Sequence, residues 1–488
     1  MLAPSAGGPP RLSDAAIDAS TRVPVVVFVA SAVAWLLFGT LLAVISSIKL
    51  HVPAFLGDLE FLTYGRTRGV ETTALLYGWG FNAAFALSLW LMARLSRGCL
   101  LSPVLLMVAA LFWNLGVTIG IVGIFVGDGS SLEGLDMPGY AAPVLFLAYL
   151  FVGIWAVQTF QSGRSEHVYI SQWYVLAALF WFPWMFSLAQ IMLFVSPVRG
   201  TVQSLVHTWF VQGLFYLWFV PIGVAAIYYF LPKLLSRPIS NYYLSVYGFW
   251  TLAAFGGWAG MSRLAGGPVP AWVVSVGIAA TLMLLVTWVV AVVNFFPTLF
   301  VGRSGEHAPG VFRFIAFGAV AFIVTLLAAV VLSLRGVAEI VQFTFVYTAQ
   351  AQLSFYGFFS MVAFGGLYYL IPRVLGTEWR SPALIGFHFW LSAIGVLLSV
   401  GALALAGSKQ GYAMNILPAG QETPVPVATI VQQLLPYLSA QTLASTLLLL
   451  GHLVFAVNLT RSLCAAFSSA LRTPASVGYL SPKEAVLR

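Results

Sequence analysis

Twelve apolar stretches, each long enough to cross the hydrocarbon of a bilayer, follow one another along this chain with only short polar or Pro/Gly-rich breaks between them. They run approximately 24 to 48, 70 to 95, 102 to 127, 141 to 160, 171 to 196, 205 to 232, 242 to 264, 271 to 300, 311 to 335, 342 to 371, 383 to 407 and 433 to 463. A membrane helix needs about 20 mostly apolar residues. In lipid the backbone must satisfy its own hydrogen bonds, so segments of this kind fold as helices. The expected fold class is an all-α polytopic membrane protein with twelve transmembrane helices. Composition supports this, since only 7% of the 488 residues are charged, against about 25% in a soluble domain. A water-soluble enzyme and a disordered scaffold are excluded. The net charge of +8 comes without any basic run, so nucleic acid is no partner. Two cysteines, Cys99 and Cys464, make neither a disulfide framework nor a Cys-x-x-Cys metal motif.

The first span is too long for a cleaved signal peptide and is read as a retained helix. Residues 1 to 22, with Pro4, Gly7, Gly8, Pro9 and Pro10, form an expected loose tail. The membrane domain is placed at 23 to 464 and a second tail at 465 to 488. An even number of spans puts both termini on one side. That side holds 15 Lys and Arg and the other holds 7, so the positive-inside bias makes both termini cytoplasmic. The expected location is a bacterial-type inner membrane. Arg335 and Glu339, four residues apart at an external end, are expected to form a surface ion pair.

Particular strings narrow the class. Two spans end Ile227-Tyr228-Tyr229-Phe230-Leu231-Pro232-Lys233 and Leu367-Tyr368-Tyr369-Leu370-Ile371-Pro372-Arg373. Others carry Tyr64-Gly65-Arg66-Thr67-Arg68, Trp258-Ala259-Gly260 and His388-Phe389-Trp390, and Pro436-Tyr437 opens the last helix. In these strings and in span order the chain resembles subunit I of the C-family haem-copper oxidases. These are the cytochrome c oxidases whose subunit I carries two b-type haems and a copper. The resemblance covers nearly the whole chain and implies the oxidase subunit I bundle.

The family works with six histidine ligands, and the resemblance assigns each a position here. Glu71 stands where the family has a low-spin haem ligand. Gln212 stands at one copper ligand, and Ser262 and Arg263 at the other two. Gln350 and Gln352 stand at the paired haem ligands of the tenth span, and Gly256 at the redox-active tyrosine. All six ligands and the tyrosine are therefore absent, and no catalytic, haem-binding or metal-binding residue is assigned.

The chain's own six histidines offer no replacement by spacing. His51, His167 and His307 fall in loops, and His207 lies five residues before Gln212, about 140° round the helix. His388 resembles a non-ligand histidine of the family, and His452 stands alone in the last span. No two share a helix at i,i+3 or i,i+4, so no local metal pair exists.

If the fold is kept, Gln212, Ser262, Arg263 and Gln350 are expected to converge at one site, and Glu71 to face Gln352 at another. All the replacements except Gly256 are polar. One reading is a polar network or water-filled cavity in place of the haems. The other is that Glu71 and Arg263 lie near the external interface and snorkel to water. Protein side chains alone do not reduce oxygen. The expected function is thus that of a redox-silent subunit I homologue, a pseudoenzyme with a degenerate active site. It would serve as membrane core or docking subunit of a respiratory or electron-transfer complex. Membrane lipids and a membrane-anchored c-type cytochrome are the expected partners, and no cofactor is expected. One alternative is a transporter or proton conductor that uses the vacated cavity, with Glu71 or Arg263 as the gating charge. Another is a terminal oxidase or nitric oxide reductase with unusual ligation, which would require haem b and copper.

Overall fold

Ser13 accepts a hydrogen bond from the Ala16 amide and so caps a helix that begins at Asp14, ten residues ahead of the predicted span. The expected loose tail is therefore helical from Asp14 onward. In this computed structural model the described residues are 12–162, 167–300, 308–415 and 425–472. Eleven helices among them are long and apolar enough to cross a membrane. They are α1 (Asp14–Lys49), α2 (Tyr64–Leu95), α3 (Pro103–Val126), α4 (Gly139–Gln161), α5 (Ile170–Val195), α6 (Thr201–Leu235), α8 (Ala271–Phe300), α9 (Pro309–Ser333), α10 (Phe345–Leu375), α11 (Pro382–Asn415) and α12 (Val427–Arg472).

The remaining predicted span, 242 to 264, is not one continuous helix. It contains α7 (Ser245–Phe255), a turn through Gly256, Gly257 and Gly260, and a 3₁₀ turn at Met261–Leu264. Gly260 sits at φ +88°, a conformation that glycine adopts without steric penalty. The bundle thus has eleven long helices and one broken segment in chain order, with no strand among the described residues.

Burial separates an inner from an outer set. The apolar windows of α2, α6 and α10 are 94%, 94% and 78% buried, against 39 to 56% for the other long helices. Aromatic rings fill the space between inner helices. Phe81 of α2 stacks on Trp218 of α6 at 4.6 Å, and Phe182 of α5 lies 4.6 Å from the Phe81 ring. Such pairs add about 0.5–1.5 kcal/mol each beyond area burial. Because lipid offers no hydrophobic gain, close packing must hold the helices together. Glycines supply it. A Cβ on Gly80 would stand 2.8 Å from Phe219, and one on Gly78 only 2.6 Å from Trp35.

Each inner helix also widens into a π-helical stretch, at Ala74–Gly80, Leu214–Phe219 and Leu353–Ser360. The end of the bundle that carries the termini is tied by Arg94, which pairs with Asp14 at 3.0 Å and Asp18 at 3.6 Å. The indole of Trp90 donates to the same Asp18. Arg335 donates to Ser275 at 2.9 Å, and no ion pair to Glu339 is present among the described residues. The expected Arg335–Glu339 bridge is replaced because the Arg335 guanidinium, at the start of the short helix Arg335–Val341, turns to the Ser275 hydroxyl of α8 instead.

Candidate functional site

Glu71 lies two turns into α2, at the end of the bundle opposite the termini, and is only 4% exposed. An isolated carboxylate there is costly. It is held by Arg68, one turn back on the same helix, at 2.7 Å. Arg68 also reaches Glu133 of the α3–α4 loop at 3.5 Å. The second oxygen of Glu71, Oε2, is buried and accepts no hydrogen bond from the described residues. Glu71 therefore does not snorkel; the arginine beside it does the reaching.

These groups line a cavity of about 450 Å³ whose walls come from α1, α2, α10, α11, α12 and the α3–α4 loop. Gln352 enters from α10, so Glu71 and Gln352 do share one space, as expected from the sequence. Gln441 and Tyr356 complete the wall from α12 and α10. Asp136 closes the loop side, its Oδ2 accepting the Gly134 amide at 3.0 Å. Burial pushes the Asp136 carboxyl up to about 7, although Arg68 opposes the shift.

The other four replacements form a second, smaller arrangement. Arg263 donates from Nη2 to Gln350 Oε1 at 2.7 Å and lies 4.7 Å over the Tyr347 ring. Its backbone carbonyl accepts a hydrogen bond from Gln342. Gln212 is buried against Gly260, where a side chain would overlap it. Ser262 is buried with its amide against Gly277. The structure thus joins Arg263 to Gln350 directly and brings Gln212 and Ser262 near through the Gly260 turn. No hydrogen bond ties those two to the pair. Gly256 lies in the same turn.

Two histidines that spacing kept apart meet in the core. His388 of α11 and His452 of α12 are both 0% exposed, with ring centroids 6.0 Å apart. Nothing local in the sequence marks them as neighbours, because they stand on different helices. Their meeting depends on how α11 and α12 pack. Of the other histidines, His51 contacts Thr442 at 2.9 Å and His207 the Glu133 carbonyl at 2.8 Å. His307 lies outside the described residues.

The cavity presents carboxylates, amides and a guanidinium, and no histidine lines it. Haem iron and copper take imidazole, thiolate or thioether donors, whereas carboxylates and amides suit hard cations. The residues present therefore do not fit the haems or copper that the resemblance implies. No group of three or more His, Cys, Asp or Glu able to hold a metal occurs among the described residues.

The family model for cytochrome c and quinol oxidase polypeptide I matches residues 23–447. The chain belongs to this oxidase subunit I family. It is 23% identical over 446 residues to the cbb3-type cytochrome c oxidase subunit CcoN1 of Stutzerimonas stutzeri, covering 90% of this chain and 94% of the relative. It is 25% identical over 445 residues to cytochrome c oxidase subunit 1 of Rhodobacter capsulatus, covering 87% and 82%. A solved heme-copper terminal oxidase dimer superposes with a TM-score of 0.69 at 13% identity, over 94% of this chain and 89% of that one. Subunit I architecture is therefore retained at low identity, in a membrane protein whose relatives are bacterial.

Proposed function

We propose that this oxidase subunit I homologue is redox-silent and forms the membrane core of a larger respiratory or electron-transfer assembly. In this reading it docks a membrane-anchored c-type cytochrome or other respiratory subunit and binds neither haem nor copper. The observation that carries it is the donor set. Glu71 is committed to Arg68 at 2.7 Å and Gln350 to Arg263 at 2.7 Å. Positions 71 and 350 thus hold side chains already paired, with no imidazole beside them. The Lys/Arg imbalance supports an inner-membrane protein with both termini in the cytoplasm.

Pyridine haemochrome spectroscopy and copper analysis of the purified chain, freed of cytochrome subunits, test the reading. The expected result is no haem b and no copper. Stoichiometric haem b overturns it.

A second reading, proton conduction through the cavity, is favoured by the 450 Å³ polar space around Glu71 and by the polar groups continuing beneath it. The two readings are compatible, since a redox-silent core can also move protons.

A further inference from the structure

The cavity around Glu71 leaves several of its own polar groups unsatisfied. Ser46 of α1, Glu71 of α2, Tyr356 of α10 and Gln441 of α12 all line it, and all are buried. Each carries a buried polar atom with no hydrogen-bond partner among the described residues: Ser46 Oγ, Glu71 Oε2, the Tyr356 hydroxyl and Gln441 Oε1. Ser46 and Tyr356 both stand close enough to Glu71 to feel its charge. Buried polar atoms are almost always paired, so four orphans around one space call for a missing partner. The carboxylate and amide oxygens can only accept, and both hydroxyls can accept as well. The missing partner is therefore a donor.

Charge narrows its class. The charged residues of the lining are Glu71, Glu133 and Asp136 against Arg68 alone. Even with Asp136 protonated, carboxylates outnumber the guanidinium. Arg68 is already shared between Glu71 at 2.7 Å and Glu133 at 3.5 Å, so an anion would find no free cation to pair with. A cationic guest completes the balance, since a buried charge needs an opposite one. The acids are spread along the space and do not converge on a point, for the Glu71 side chain is 5% exposed and that of Glu133, toward the mouth, 71%. Such a spread suits an extended organic cation better than a bare metal ion. The volume of about 450 Å³ falls within the roughly 300–1,000 Å³ of small-molecule sites. Tyr64 and Tyr356 add aromatic faces to the lining, which attract organic cations.

We propose that this cavity binds a small protonated amine, whose N–H groups donate to Glu71 Oε2 and Gln441 Oε1. It rests on the redox-silent reading in one respect, that no haem occupies the space. A primary ammonium brings three donors and a positive charge in one group. A quaternary ammonium brings the charge without donors, and an alcohol brings a donor without the charge. Only the first answers both demands of the lining. Hydrogen bonds from a cation to a carboxylate are about twice as strong as neutral ones, so Glu71 is the main anchor and Gln441 the secondary one. Exposed Tyr64 and Glu133 place the entrance at the end of the bundle opposite the termini.

Isothermal titration calorimetry of the full chain in detergent, with haem content measured on the same preparation, tests the site. n-Butylammonium is expected to bind at one saturable site, at least about tenfold more tightly than tetramethylammonium or 1-butanol. Glu71→Gln should weaken n-butylammonium by at least about tenfold, and Gln441→Leu by a smaller factor. Tyr243→Phe, on an exposed side chain, should leave it unchanged. Glu71→Gln disturbs the Arg68 pair, whereas Gln441→Leu changes no charge and keeps the side-chain bulk, so it guards against a loss caused by misfolding. Equal affinity for tetramethylammonium or 1-butanol, tighter Glu71-dependent binding of calcium, or parent affinity in both variants overturns the proposal. Haem-free protein that binds no n-butylammonium overturns it alone. Stoichiometric haem b overturns it together with the redox-silent reading.

Discussion

The Arg68 guanidinium serves two carboxylates at once, buried Glu71 and exposed Glu133, and so links the start of α2 to the α3–α4 loop. Asp136 in that loop is the group whose ionisation should be felt in solution. A free aspartate titrates near about 3.9, whereas burial raises this one to about 7. The folded protein therefore holds the Asp136 proton more tightly than the unfolded chain does. Its contribution to stability is complete below about pH 4 and is lost as pH rises to about 7. The thermal midpoint in detergent should fall between about pH 5 and pH 8, and Asp136→Asn should flatten that slope. An unchanged slope in Asp136→Asn would assign the effect to other groups. The sequence singled out Glu71 because it stands where the resembled family has a low-spin haem ligand. Nothing in the sequence marks Asp136 in the same way, because only the folding of its loop against Gly69 of α2 buries it.

At the scale of the element, the seventh segment is where hydropathy and conformation part company. Residues 242 to 264 are apolar enough to read as one span, and hydropathy does not distinguish a glycine in a helix from a glycine in a turn. The turn is set by Gly260 at φ +88°, with its Cα against Gln212. Gly260→Ala combines a left-handed conformation costing roughly 1–2 kcal/mol with overlap onto Gln212. It should lower the thermal midpoint clearly. Gly257→Ala is the internal control, because its Cβ would meet nothing closer than Leu217 at 3.6 Å. It should stay within about 0.5 kcal/mol of the parent. Equal midpoints for the two variants would mean that the turn is not what holds Gln212 in place. The long helices were easier to read, since α3, α4 and α8 begin and end within two residues of their apolar stretches. The contact between His388 and His452 was invisible at this scale, because it belongs to neither helix alone.

For the molecule as a whole, orientation is open to direct measurement. A reporter fused to the C-terminus should be active only in its cytoplasmic form, and one inserted between Asp128 and Asp136 only in its external form. Reversed results would turn the cavity toward the cytoplasm. The oxidase subunit I fold was legible because its repeated Tyr-Tyr-x-x-Pro span ends and its span order survive in the sequence. What occupies the interior was less legible, because the cavity is made by six segments far apart in the chain. The π-helical stretches of the three inner helices, which are separate from a fourth at Ile191–Val195 of α5, stand close to three of the polar positions. They begin three residues after Glu71, two after Gln212 and one after Gln352. A wide turn of this kind is uncommon in helices and is frequent at functional sites. Removing one residue would restore the ordinary winding, yet all three inner helices keep the wide turn directly beneath a glutamate or glutamine. Each of those three polar side chains therefore stands at the edge of a widened turn, so a change at any of them acts on backbone whose winding is already loosened.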